Sequence, residues 1–457
     1  MGSLAGIRDR VINIMDNLRT SFWVIPGALI ALAIILSVVN VWFDTVIASE
    51  ISFQSERWAW YSGIEGMRGI LGTTAASILG VAGVSFSITI ASLTLASQQF
   101  GPRLIRNFIR DRFTQTILGF FVATFVYCIM TMQLSDIFAG EQYQPVATLV
   151  TTLVLTIVDL IFLVLFIHHI CVSIQVDTVI AEVSDNMQMQ ANSLFEEYSD
   201  APETEKSASD AFTRQFASGA LQARSPQDGY IRYIAYEALI ETASHLELQV
   251  RIDCRAGDYV MRRSVLFEYI NSSDAEIDVA GIVDECFVIS HSRTQIQDLE
   301  YSIRQLVEIA LRALSPGIND PFTAMTCIDR LGSLISLMAG KRMPPELMVD
   351  GEGASRLMAS RSNFEGLVEA AFNQIRQNSR THVDVTIRLL ETLKAIISLV
   401  PDQAHSKPLE KQVIMIMQKV KRDAFTSADY EAIEERYEEA LHALHMRQTG
   451  GWPSTEL

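Results

Sequence analysis

ILGTTAASILGVAGVSFSITIASLTLASQQFGPRLIRNFIRDRF, residues 70–113, is the stretch on which the reading of this chain turns. From Ile70 to Ala96 it runs 27 residues without a charge, more than the ~20 apolar residues a membrane helix needs. Projected at roughly 100° per residue, Gly80, Ser87, Ala91 and Thr94 share one stripe, and Ser85, Thr89, Ser92 and Ala96 share its neighbour. Phe86, Ile90 and Leu93 fall elsewhere. Close helix packing in lipid favours small and hydroxyl side chains. A face lining a pore or cavity uses the same residues, so Ser85, Ser87, Thr89, Ser92 and Thr94 are candidate lining positions. After a turn at Gly101 and Pro102, residues 102–113 form a basic interfacial helix carrying Arg103, Arg106, Arg110 and Arg112 beside an apolar stripe of Leu104, Ile105, Phe108 and Ile109. Such a helix anchors to anionic lipid headgroups. As a ring at a pore mouth, it would concentrate anions.

Working outward, residues 1–21 are an amphipathic cytoplasmic lead with Arg8, Arg10 and Arg19, and residues 22–171 hold four spans. The first span is 22–43, with Trp23 and Trp42 as interface anchors and Pro26 in the first turn, where proline does least harm. The others are 70–96, 116–134 and 146–170. The N-terminal lead has three arginines and the 98–115 loop four, whereas connection 44–69 has two basic residues and 135–145 none. The positive-inside rule then places both termini in the cytoplasm.

Asp159 is the one acid inside a predicted span, near the middle of the fourth. A charge at that depth costs roughly 2.5–3.5 kcal/mol on insertion scales, so it needs a partner, water or a proton. Ion binding, proton relay and gating are the functional readings, and a packing Asp is the plain one. The hydroxyl face of the second span and the basic helix are its candidate partners. His168 and His169 end the same span and are candidates for pH sensing or simple interfacial anchoring.

The 457 residues carry net charge -17 with mean hydropathy +0.22. The average conceals an apolar N-terminal part and an acidic remainder. Acidity argues against nucleic acid as a partner. The five cysteines lack CxxC spacing, so neither a zinc site nor a disulfide framework is expected. No Walker loop, GxGxxG after a strand, HExxH or GxSxG occurs. No enzyme activity, cofactor or metal is expected.

Residues 172–210 read as a helical extension followed by the acidic linker SDAPETEKSASD. Residues 211–292 read as a small α+β domain, with GYIRYI, ELQVRIDC and CFVIS as strands and RAGD as a turn. The hairpin faintly resembles half a lipoyl-type domain but has no lysine at the turn, so no prosthetic group follows. Residues 293–446 read as a helical bundle. It opens with a helix over 293–314 whose Glu300, Arg304, Glu308 and Arg312 form a solvated ladder. SPGINDP breaks it, with Asp320 capping and Pro321 starting the next helix. A loop over 339–356 and helices at about 362–378, 382–400, 408–424 and 427–446 follow, then a flexible tail over 447–457.

FSITIASLTLASQQFGPRLIRNFIRDR (86–112) and RTQIQDLEYSIRQLVEIALRALSPGINDPFTA (293–324) resemble the two signature stretches of a bacterial family of predicted membrane proteins, the domain of unknown function 2254 family. The resemblance extends over most of residues 10–440. It implies the four spans and the tail, but no reaction and no catalytic residue.

The fold expected is therefore an α-helical integral membrane protein, with four transmembrane helices, a cytoplasmic α+β domain and a C-terminal helical bundle. The leading functional expectation is a homo-oligomeric ion channel or channel-like pore of the bacterial inner membrane, in contact with anionic lipids and passing a small ion along a symmetry axis. The alternatives are a membrane-anchored sensor or scaffold and, lower in order, a proton-coupled transporter through Asp159.

Overall fold

The computed structural model describes residues 23–46, 63–101, 111–138, 145–197, 204–216, 219–271, 277–379, 382–420 and 425–449. The chain forms two compact units, Met1–Thr178 and Val179–Leu457.

The first unit contains α1 (Val24–Val46), α2 (Gly63–Phe100), α3 (Arg112–Phe138) and α4 (Val146–Ser173). Its centre is α3, which packs on all three others. The sequence offers the small and hydroxyl face of α2 for close packing or for lining a pore. That helix instead buries a single stripe (Met67, Leu71, Ala75, Ile78, Ala82, Ser85) and leaves Leu79, Val84, Ile90 and Leu95 facing outward. The difference has a physical cause: α3 offers inward contacts around much of its girth, from Ile117, Leu118 and Phe121 to Ala123, Tyr127 and Cys128. Where α1 crosses α3, Gly119 admits the backbone of Pro26; a Cβ there would lie 2.8 Å from Pro26 Cα. The helices also run longer than their apolar cores suggest, α2 beginning at Gly63 and α3 at Arg112.

Polar contacts pin both ends of this antiparallel bundle. At one end Asp44, on the last turn of α1, accepts hydrogen bonds from the backbone N–H groups of Ala147 (2.9 Å) and Thr148 (3.0 Å) that open α4. Arg68 of α2 pairs with Asp136 of α3 at the same end. At the other end Asp111, just before α3, meets His169 of α4 at 2.7 Å.

In the second unit, α5 (Val176–Leu194) leads to β1 (Glu196–Glu197) and α6 (Thr204–Gln215). Residues 172–197 are thus not one continuous helix, because α4 ends at Ser173 and the backbone turns at 174–175. The α+β region contains β2 (Leu221–Arg224), β3 (Gly229–Ile234), α7 (Tyr236–His245), β4 (Leu248–Ile252), β5 (Tyr259–Val260), β6 (Val265–Asn271), α8 (Val279–Cys286) and β7 (Phe287–Ser290). The bundle follows: α9 (Leu299–Ala313), α10 (Pro321–Ala339), β8 (Lys341–Arg342), β9 (Leu347–Val349), β10 (Ser355–Ala359), α11 (Phe364–Asn378), α12 (Val383–Ile397), α13 (Gln403–Val420) and α14 (Ser427–Thr449).

Two sheets organise the α+β region. One has the order β2-β6-β4-β10-β9 and the other β5-β3-β7, while β1 pairs with β8 alone. All pairings are antiparallel except β4 with β10. The segment 339–356, expected to be a loop, therefore supplies β8, β9 and the start of β10. Leu357 and Ala359 are fully buried in the core of the sheet, so long-range pairing decides these strands while their local composition reads as loop.

Helix α9 begins at Leu299, later than expected, because the Asp298 carboxylate caps it by accepting from Tyr301 N–H at 3.0 Å. Asp320 does the same for α10 through Thr323, and Pro321 follows at the first helical position. The ladder on α9 is not a solvated face at its start. Glu300 is buried and lies 2.7 Å from Arg255, with Arg304 at 3.7 Å.

Among the described residues, five helices are long and apolar enough to cross a membrane by length and composition, namely α1 to α4 and α10. The last packs against α9, α11 and α12, with Ala324, Cys327, Ile328, Leu331, Leu334 and Ile335 buried among them.

Candidate functional site

The membrane unit carries a buried polar seam. It starts at Asp44 and Thr148, where α1 meets the start of α4. One turn further in, Asn40 Nδ2 donates to the Tyr127 hydroxyl at 3.0 Å and to Thr151 Oγ1 at 2.9 Å. Along α4, Thr152 donates to the Thr148 carbonyl at 2.7 Å, and Thr156 to that of Thr152 at 2.8 Å. On α3 the inward face carries Thr124, Tyr127, Thr131 and Ser135, all buried. The sequence dictates this convergence. Thr148, Thr152 and Asp159 lie at spacings that keep one helical face inward, as do Thr124, Cys128, Thr131 and Ser135.

Asp159 ends the seam. It is 1% exposed. It faces Thr124 and Cys128 of α3, with the Thr124 hydroxyl its polar neighbour, and its carboxylate has no partner at close hydrogen-bond geometry among the described residues. The eleven residue-to-residue steps from Thr148 to Asp159 rise about 16 Å along the helix, roughly half of a ~30 Å hydrocarbon core. Past Asp159 the interior is apolar, with Ile78, Ala82, Ile117, Leu118, Phe121 and Phe166 in one cluster.

The other described candidate residues sit on α2, at the start of α3 and at the end of α4. On α2, Ser87 and Thr94 are exposed, Thr89 and Ser92 half-buried and Ser85 buried. Ser87, Thr89 and Thr94 donate to the carbonyls of Gly83, Ser85 and Ile90, each at 2.9 Å. Self-satisfied hydroxyls of this kind can sit in lipid, against another helix or beside water. Arg112 is exposed at the start of α3, while Arg103, Arg106 and Arg110, with most of the basic segment 102–113, lie outside the described residues. His168 is exposed. His169 is half-buried, with its Nε2 on Asp111, Ser173 Oγ at 3.3 Å and the Phe113 ring at 4.6 Å.

Sequence reasoning passed over Asp44, Asn40, Tyr127 and Asp111. Asp111 had a readable signal, since an Asp three residues before Thr114 at the head of an apolar run is a helix-capping pattern. Asp44 and Asn40 had a weaker one: two polar residues four apart near the end of an otherwise apolar span share a face.

A family model described as predicted membrane protein (DUF2254) matches residues 19–395. The chain belongs to this family. Among curated proteins, the DUF2254 chain is 27% identical over 432 residues to an uncharacterized protein of Mycobacterium tuberculosis strain H37Rv, covering 91% of this chain and 79% of that one. An uncharacterized protein of Mycobacterium bovis matches with the same identity and coverage. No solved structure matches it. The family match spans the seam, the α+β region and the bundle as far as α12, so this DUF2254 member is a membrane protein whose polar interior lies within the matched segment.

Proposed function

We propose that this DUF2254 protein passes a small cation or proton across the membrane, with Asp159 as the ion-holding carboxylate. The observation that carries the reading is a buried carboxylate at mid-depth with no close hydrogen-bond partner among the described residues, reached from one membrane face by a polar seam. Intramembrane acids are expensive and serve ion paths and proton relays. The apolar cluster of Phe121, Phe166, Leu118 and Ile117 beyond it acts as the closed gate, since hydrophobic constrictions exclude water until they part.

In this reading α1 to α4 cross the bacterial inner membrane, with both termini cytoplasmic and the Asp44 end outward, as the arginine distribution favours. Helix α10 stays in the cytoplasmic bundle, because its apolar face is already covered by α9, α11 and α12. The chain assembles as a homo-oligomer through the outward glycine and hydroxyl face of α2, and the second unit regulates it. It performs no enzymatic reaction. A sensor or scaffold without transport is the second reading; the closed apolar cluster and the self-bonded hydroxyls of Ser87 and Thr94 favour it.

Flux into liposomes carrying the purified protein, under proton, potassium and chloride gradients, tests the proposal. Proton or potassium flux that Asp159→Asn abolishes supports a path through the seam. Flux that survives Asp159→Asn but is lost on bulky substitution at Ser87 or Thr94 moves the path to the oligomer axis. Absence of flux across pH and voltage favours the sensor or scaffold.

A further inference from the structure

We infer that the second unit holds a small-oxyanion site, for a phosphoryl or carboxylate group, centred on Arg361 at the carboxyl ends of the adjacent parallel strands β4 and β10. It stands whether or not the membrane unit conducts. A half-open cavity of about 80 Å3 lies there, and Tyr236, Arg255, Gln297, Ser360, Arg361 and Ser362 supply its polar lining. The parallel pairing sets Leu357 beside Val250 and Ala359 beside Ile252. The two strands therefore release the segments that follow them, Asp253–Arg255 and Ser360–Ser362, on the same edge. In open α/β sheets this crevice is where ligands bind.

The charges there are unequal. Arg255 already has a carboxylate, Glu300 at 2.7 Å, and reaches Ser362 Oγ at 3.5 Å. Arg361 has none among the described residues. It lies over the Tyr236 ring at 3.7 Å from the centroid and touches Met348 Sδ at 3.1 Å, and its Nε is buried without an acceptor. Burial pulls the Arg361 guanidinium below its ordinary value, the sign of a cation that has lost water without gaining an anion. A guanidinium fork binds phosphate and carboxylate in two-pronged fashion. The hydroxyls of Ser360 and Ser362 add donors, and Gln297 is held in place by its paired bonds to Ile234 N (2.9 Å) and O (3.0 Å). The cavity is small beside the roughly 300–1,000 Å3 of drug-sized pockets, so an anionic group fits and a dinucleotide does not. Its apolar wall includes Leu194 and Phe195, at and just after the end of α5, so an occupant bears directly on that helix.

One wall comes from the segment whose sequence resembles the second family signature. Gln297 lines the cavity, and Asp298 crowds Gly257, the glycine of the RAGD turn (φ +95°), so tightly that no Cβ fits there. Gly257 thus lets the turn close against Asp298, and the turn's own Arg255 and Ala256 face the cavity.

Titration calorimetry of the full chain in detergent micelles, with inorganic phosphate and with succinate, tests the site. The expected result is saturable binding of at least one anion, one per chain. Arg361→Gln should weaken it at least tenfold, Arg361→Lys less and Ser362→Ala a few-fold, while Arg388→Gln on the exposed face of α12 leaves it unchanged. Preference for phosphate names a phosphoryl ligand, and preference for succinate a carboxylate. Binding of neither anion overturns the proposal, as does binding by Arg361→Gln, with its thermal melt intact, at wild-type strength.

Discussion

His169 Nε2 lies 2.7 Å from Asp111 Oδ2, which ties the end of α4 to the start of α3. The same carboxylate accepts the backbone N–H groups of Phe113 (3.1 Å) and Thr114 (3.2 Å). One side chain therefore caps a helix and joins two. Asp111→Ala should destabilise the membrane unit by about 1 kcal/mol from the cap alone, and more once the histidine contact is lost. A double-mutant cycle with His169→Ala, read from unfolding in mixed micelles, should give a coupling of about 0.5–3 kcal/mol. Additive single effects would mean that the two residues are neighbours without being partners.

Gly119 marks the closest approach of α1 to α3. A methyl at that point would stand 2.8 Å from Pro26 Cα and 3.1 Å from Leu29 Cδ1. Backbone cannot step aside as a flexible side chain does. Gly119→Ala should cost about 1–3 kcal/mol by forcing the helices apart, measured as lost thermal stability in detergent. Gly27, whose Cβ position is open, is the matched control and should tolerate alanine.

Much of this was legible in the sequence, for reasons that differ by region. The apolar runs gave α1 to α4, because a helix in lipid must be long and apolar whatever it packs against. Asp159 was visible as a lone acid in such a run. Its partners were not, since Thr124 and Cys128 meet it only through the packing of α3 on α4. The strand β10 was hidden because Leu357 and Ala359 are buried by pairing with β4, a hundred residues away. Glu300 read as part of a solvated ladder, and only the fold brings Arg255 to it. Helix α13 starts at Gln403, ahead of the expected start near 408, and so carries Pro408 inside the helix rather than at its head.

Asp350 supplies a pH dependence. Its carboxylate accepts from Arg356 Nε (2.8 Å), from the N–H groups of Ala354 (2.9 Å) and Glu352 (3.0 Å), and from Ser244 Oγ (3.1 Å). The Arg356 bond foremost, with these others, pulls it down from 3.8 to about 2. A carboxylate lowered on folding stabilises fully above its unfolded value. It loses that contribution as pH falls from about 4 through about 2. Acid titration of the full chain should therefore show a loss of stability between those limits that Asp350→Asn lacks, the variant being less stable at neutral pH. Parallel acid curves for the two proteins would remove Asp350 as the cause.

The outward face of α2 carries the last prediction. Gly69, Gly72, Gly80 and Gly83 all have open space where a Cβ would stand, and Ser87 and Thr94 continue the same exposed side. Among the described residues nothing rests on these positions, so larger residues cost the monomer little. If the face is where copies meet, small residues are what let two backbones approach in lipid, and bulk there separates them. Gly80→Leu with Gly83→Leu should leave the helical content and melting of the chain near wild type while shifting its mass in micelles from oligomer to monomer. Light scattering or native mass spectrometry reads that shift. An oligomer of unchanged mass in the double variant would place the subunit contact elsewhere and leave the α2 face to lipid.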